Sequence, residues 1–264
     1  MKEVNFGLVA KSYAKSRNDI PSNLFESFTI RNIFFEGKRV VDIACGTGAL
    51  TRKLDLRNAD VIGVDPSIEL IKEAQNINAL EYKNIRYEVG SAEKTNLPSN
   101  DFDIVTVMRA WHWFNREESI KEIKRLLKNK GILIVADSGF VPPHEVTDFT
   151  FDVLKRHIPD GVKPPGSKAE SKQRINGFPV EWFDEWSKNE FDLRDFYKLD
   201  YKVQFSNSEW LDRVTSLSYL AGLEEEPRKN IIEELLNLLD TKFGKDAMHT
   251  IPHACYVSIL KLHK

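Results

Sequence analysis

Two carboxylates and two glycines form the clearest chemical pattern in this 264-residue chain. Asp42 lies inside the apolar run Val40-Val41-Asp42-Ile43, and the turn Cys45-Gly46-Thr47-Gly48 follows after Ala44. A carboxylate in a strand buried on both faces needs a hydrogen-bond partner. Glycines in such a turn accept positive φ and leave the backbone bare for a ligand. A second apolar run, Val61-Ile62-Gly63-Val64, ends in Asp65. In a doubly wound sheet, an acid at that place can hold a ribose diol. Strand, glycine turn and helix start together make a nucleotide-binding crevice. His112 lies in Ala110-Trp111-His112-Trp113-Phe114, directly beyond a further apolar run. With an ordinary pKa of about 6.5 it can serve as a base. A buried histidine that only fixes its loop is the competing reading.

These residues need elements to position them. Strands are expected at 40–43, 61–65, 85–89, 102–108 and 132–136, where short apolar runs end in turn residues. Thr47 is expected to cap a helix through Ala49, Leu50 and Leu54. Pro66 and Ser67 should start another, with Ile68, Leu70, Ile71 and Ala74 as its buried stripe. A helix over 117–127 should end at Lys128 and Lys130, with Gly131 as terminator. Upstream, Pro21 suits the start of a packing helix over 21–35, with Leu24, Phe25, Phe28 and Ile33 inside. Phe6, Val9 and Tyr13 share one helical face, with Arg17 beyond. That segment is either a docking helix or an arm over the crevice. Residues 140–189 hold more than half of the eleven prolines, with helical pieces over 146–157 and 180–188. The polar, basic stretch between them reads as the mobile middle of a lid. A long strand over 191–205, helices over 209–220 and 224–243, and a strand over 254–262 complete the chain. Leu235, Leu236, Leu238 and Leu239 are the expected core face of the second helix.

The string D-I-A-C-G-T-G, followed by G-V-D-P-S, resembles the class I S-adenosylmethionine-dependent methyltransferases. It differs from the dinucleotide fingerprint in having no third glycine. Gly90-Ser91-Ala92-Glu93, with Leu97-Pro98 after it, resembles the family segment G-D-A-E-x-L-P, with Ser91 where Asp is frequent. A-W-H-W-F resembles a branch of small-molecule enzymes that includes the trans-aconitate type. The N-terminal F-x-x-V-A-x-x-Y, with an arginine after it, resembles the arm of many such enzymes. The resemblance is specific over 40–136 and loose elsewhere. It implies an α/β, Rossmann-like doubly wound sheet of seven strands with helices on both faces. It also implies one domain over 1–264, with a core of about 30–139 and 190–264 and a lid from 1–29 and 140–189. The implied cofactor is S-adenosylmethionine. Its implied contacts are Asp42, Ala44, Gly46, Thr47 and Gly48 around the turn, Asp65 and Pro66 at the ribose, Ser91, Ala92 and Glu93 at the adenine, and Arg109 after the fourth strand. Tyr13 and His112 are the implied catalytic, acceptor-side residues. An aromatic ring face such as that of Tyr13 can hold a sulfonium cation.

Composition bounds the partners. Hydrophobic residues make up 41% and charged residues 30%, as in soluble globular proteins, and the formal net charge is -2. That charge offers no general attraction to nucleic acid or anionic membranes. No apolar run approaches the ~20 residues of a membrane span, and no signal-peptide pattern opens the chain. The two cysteines, Cys45 and Cys255, read as reduced thiols in a cytoplasmic protein, and no zinc spacing is present. The expected acceptor is a small molecule, an acid being one candidate. Arg17, Arg109, Lys163, Lys168, Lys172 and Arg174, against Glu170, could hold its carboxylate or phosphate or could be solvated surface. Two rivals stand beside this reading: a non-catalytic S-adenosylmethionine-binding protein, and an NAD-binding oxidoreductase.

Overall fold

The computed structural model describes residues 6–17, 19–81, 85–158 and 164–263. A 3-10 turn over Phe6–Val9 leads into α1 (Ala10–Ser16) and α2 (Leu24–Ile30). The central part runs β1 (Arg39–Ile43), α3 (Ala49–Asp55), β2 (Asp60–Asp65), α4 (Ile68–Glu81), β3 (Arg86–Val89), β4 (Phe102–Met108), α5 (Arg116–Leu126) and β5 (Leu127–Phe140). Then come α6 (Glu145–His157), the small hairpin β6 (Arg174–Ile175) and β7 (Phe178–Pro179), and α7 (Val180–Lys188). The chain closes with β8 (Phe191–Ser206), α8 (Asn207–Thr215), α9 (Ser218–Ala221), α10 (Glu225–Phe243) and β9 (Met248–Leu262).

The main sheet has seven strands in the order β3-β2-β1-β4-β5-β9-β8. The first five are parallel, and β9 lies antiparallel between β5 and β8. The Rossmann-like sheet expected from the resemblance is the one observed. Its parallel strands are buried on both faces, so their side chains divide between two cores. Val41, Ile43, Val105 and Leu133 join Ile120 and Ile123 of α5 on one face. Val40, Val61, Ile104 and Ile134 join Leu24 and Phe28 of α2 and Leu54 of α3 on the other. A third core gathers α6, α8 and α10 around Trp210, Leu235 and Leu239. No helix among the described residues is long and apolar enough to cross a membrane. The strand order reverses between β1 and β4, which opens a crevice at their C-terminal ends.

Several local expectations need correction. The helix expected over 21–35 spans only Leu24–Ile30, and Asn32 breaks it with φ of 57°. Thr47 caps nothing, because the N-cap of α3 is Gly48, with no side-chain cap bond. Ile68 is half exposed rather than buried. Lys130, not Gly131, takes the left-handed conformation, and it does so inside β5 at a register break against β4. The helix expected over 209–220 divides at Leu217, whose backbone is extended. Of the four leucines assigned to the core face of α10, Leu235 and Leu239 are buried, while Leu236 and Leu238 are only partly so.

The excursion expected as a lid is not one unit. Phe178, Trp182 and Trp186 are fully buried in the same core cluster as side chains of β4, β5 and β8, so α7 is part of the core. At the other end, Ile20, Leu24, Phe25 and Phe28 place α2 in the core as well. Among the described residues, α1 is the element that lies over the glycine turn. Trp186→Ala should therefore cost about 3–5 kcal/mol of stability, as for other buried aromatic truncations. Denaturant unfolding checks this, and a loss below about 1 kcal/mol would instead fit a loosely docked lid.

Candidate active site

The turn after β1 is built around two buried carboxylates. Asp42 accepts hydrogen bonds from the hydroxyls of Thr51 (2.6 Å) on α3 and Thr106 (2.8 Å) on β4. Burial pushes its pKa up to about 6, against the pull of those two hydroxyls. Ala44, Gly46 and Gly48 all take positive φ, at 55°, 57° and 77°. A Cβ on Gly48 would fall 2.4 Å from the Tyr87 hydroxyl, so both space and backbone demand glycine there. Asp65 closes the turn from β2. Its Oδ2 accepts from the Gly46 amide and its Oδ1 from the Ser67 amide, each at 2.9 Å. Burial raises its pKa despite these two bonds.

The crevice between β1 and β4 is narrow. Its cavity measures about 30 Å³ and is lined by Tyr13, Arg17, Asp42, Cys45, Thr47 and Arg109, among others. That is the volume of about one water molecule. The cover comes from α1, whose Tyr13 ring lies 3.1 Å from where a Gly46 Cβ would be. Phe6 packs edge-on against both Tyr13 and Trp113, so the arm meets the loop beyond β4.

The remaining sequence-flagged residues are less uniform. Ser91 bridges to Lys94, and Ala92 is buried beside it. The Glu93 carboxylate is engaged elsewhere, accepting from the Asn115 amide (3.0 Å) and the Ser119 hydroxyl (3.3 Å) at the start of α5. Pro66 is exposed. His112 is buried, and its pKa lies well below 6.5, first because of burial and then because of Lys168 and Arg17. Its carbonyl abuts Gly166, where a Cβ would come within 2.1 Å. Lys168 pairs with Asp137, whereas Lys172 and Arg174 are exposed and Lys163 lies outside the described residues.

Arg109 leads to residues that spacing alone did not reveal. Its backbone is left-handed, with φ of 59°, and its Nε donates to the Ser138 hydroxyl (2.7 Å). Its Nη2 lies 2.6 Å from Asp19 Oδ1. Asp19 Oδ2 lies 3.3 Å from Nε of Arg213, on α8, and 3.7 Å from Nε2 of His253. Arg213 had one signal in the sequence, since it shares the apolar face of α8 with Trp210, Leu211 and Val214. Asp19 had none.

The Asp42 environment gives a signed pH effect. Its folded pKa is raised from 3.8 to about 6, so the stability it contributes is full below the lower value and is lost as pH rises through 6. Wild type should lose roughly 2–2.5 kcal/mol relative to Asp42→Asn between pH 4 and 8. Thermal melts of both proteins across that range check it, and parallel curves would contradict it.

A family model described as a methyltransferase domain matches residues 41–135. A Dictyostelium discoideum protein with a provisional methyltransferase name is 36% identical over 138 residues, covering 52% of this chain and 49% of that protein. The matched stretch thus spans only about half of that relative. The uncharacterized methyltransferase YcgJ of Bacillus subtilis is 26% identical over 204 residues, covering 76% of this chain and 72% of that protein. Its crystal structure superposes with a TM-score of 0.54 at 20% identity, over 92% of this chain and 98% of that one. A malonyl-[acyl-carrier protein] O-methyltransferase of Acetivibrio thermocellus is 23% identical, over 82% of this chain and 77% of that protein. The glycine turn, the acid ending β2 and the reversal of strand order all lie within the stretch 41–135 that matches the methyltransferase domain, in a fold shared with YcgJ.

Proposed function

We propose that the protein transfers a methyl group from S-adenosylmethionine to a small-molecule acceptor. The observation that carries this reading is the left-handed glycine turn at the strand-order reversal, braced by Asp65. The cofactor supplies a methyl group on a sulfonium, which a nucleophile displaces in line. The chain then has to align the two partners and exclude water.

The residues present fit that task. Gly46 and Gly48 leave the turn bare, and Asp42 holds it to α3 and β4. Each Asp65 oxygen has one lone pair beyond its backbone bond, free for ribose hydroxyls. Ser91 and the Ala92 amide suit the adenine edge, and Arg109 lines the crevice from β4. Tyr13 covers the turn from α1 and is the residue that would face the sulfonium. His112, held neutral by burial, can accept a proton at pH 7 but is a weak base. A carboxylate acceptor needs no base, being an anion already. The malonyl-[acyl-carrier protein] O-methyltransferase relative supports testing acids first. The net charge of -2 supports a small acceptor over nucleic acid, and the free thiols Cys45 and Cys255 support a cytoplasmic location.

Incubation with labelled S-adenosylmethionine and a cell extract tests the class. A labelled small product is expected. Cofactor binding with no labelled product would favour a non-catalytic binding protein. Asp65→Ala should weaken S-adenosylhomocysteine by roughly 1.5–3 kcal/mol, a charged hydrogen-bond contribution, in calorimetric titration. Once an acceptor is found, His112→Ala should lower kcat by roughly 10²–10⁴ if His112 moves a proton. Cofactor affinity should then be unchanged, and the rate profile should show no ionisation near pH 6.5.

A further inference from the structure

The side chains gathered beneath α1 carry more positive charge than their described neighbours neutralise. Arg109 and Arg213 both pair with Asp19, at 2.6 Å and 3.3 Å. Arg17 joins them from the end of α1, donating to the Ser216 hydroxyl (2.9 Å) and carbonyl (2.8 Å). Its pKa is lowered to about 9, by burial first and then by Arg213. The described residues thus set three guanidiniums against the single carboxylate of Asp19. His253 supplies no compensation, because burial brings its pKa down to about 4 and leaves it neutral at pH 7. The phenols of Tyr201 and Tyr219 are pushed up by burial and stay neutral as well. The Arg213 side chain is 1% exposed, and its Nη1 has no hydrogen-bond partner among the described residues. An unpartnered guanidinium N–H at such depth is costly, and an oxyanion is its natural complement. The cluster reaches the crevice through Arg17 and Arg109, which line it.

We propose that Arg213, with Arg17 and Arg109, is the receptor for a carboxylate of the acceptor, so that the substrate class is a small organic acid. This assignment rests on the methyl-transfer reading above. The cluster already holds one carboxylate, that of Asp19, between two guanidinium forks, and a second matches the same geometry. Two surplus positive charges suit a dicarboxylate better than a neutral molecule. The same oxyanion chemistry is available from phosphate and from the carboxylate of the cofactor's own methionine end.

Calorimetric titration of malonate into the full chain saturated with S-adenosylhomocysteine, at low salt, separates these sources. Malonate is expected to bind saturably at one site, and inorganic phosphate more weakly. Arg213→Gln should weaken malonate at least tenfold, and Arg213→Lys should restore part of the loss. Arg17→Gln, at a half-buried position, should weaken malonate in the same direction even if the Arg213 variants fold poorly. S-adenosylhomocysteine affinity should stay within threefold in every folded variant. Malonate binding that is absent, unchanged in both glutamine variants, or surpassed by phosphate would overturn the proposal. So would displacement of S-adenosylhomocysteine by malonate, which would assign the cluster to the cofactor. Arginine-dependent malonate binding by a chain that never binds S-adenosylhomocysteine would uphold the receptor and remove the methyl-transfer reading instead.

Discussion

A carboxylate buried in the central strand sets the terms for this fold. Asp42 is surrounded by apolar side chains of β1, and burial of its charge is costly. Two threonine hydroxyls offset that cost, and they come from different elements, α3 and β4. The carboxylate therefore ties the helix after the glycine turn to the neighbouring strand across the point where strand order reverses. With the backbone pairing of β1 to β4, it holds the left-handed turn through Ala44, Gly46 and Gly48 against β4. Asp65 completes the arrangement from β2 by accepting the Gly46 amide. The crevice is thus positioned by buried hydrogen bonds between strands and α3, while its cover is the short helix α1, packed on α4 and α8.

That division matters for function. A displacement reaction needs alignment more than it needs acid–base groups. In the proposed reaction that alignment would come from β1, β2 and β4, which carry Asp42, Asp65 and Thr106. The cover, α1, is anchored by Arg17 on Ser216 and followed by Asp19 on Arg109 and Arg213. Opening the crevice for a ligand as large as a nucleoside therefore works against buried ion pairs next to the reaction space. In the structure those pairs are formed and the crevice is narrow.

Much of this was legible in the sequence, for identifiable reasons. Parallel strands buried on both faces must be continuous apolar runs, so the positions of β1 to β4 along the chain were readable within a residue or two. The glycine turn was readable because left-handed backbone restricts residue choice so strongly. The long helix α10 and the strand β8 were found by periodicity. Local choices between equivalent residues were harder. Gly48, not Thr47, starts α3, and Lys130, not Gly131, takes the left-handed turn, because tertiary register overrode local preference. Proline density marked a change in the character of the chain but could not reveal that Trp182 and Trp186 lie in the core. The hydrogen bonds of Glu93 at the start of α5 and the pairing of Asp19 with Arg213 join residues far apart in the chain. No spacing rule encodes such pairs.

The central claim is that the crevice at the β1–β4 reversal holds S-adenosylmethionine rather than a dinucleotide. Calorimetric titration of the full chain with S-adenosylhomocysteine and, separately, with NAD tests it most directly. The account predicts one saturable S-adenosylhomocysteine site per chain and no measurable heat with NAD. Tighter binding of NAD, or no binding of S-adenosylhomocysteine, would contradict it.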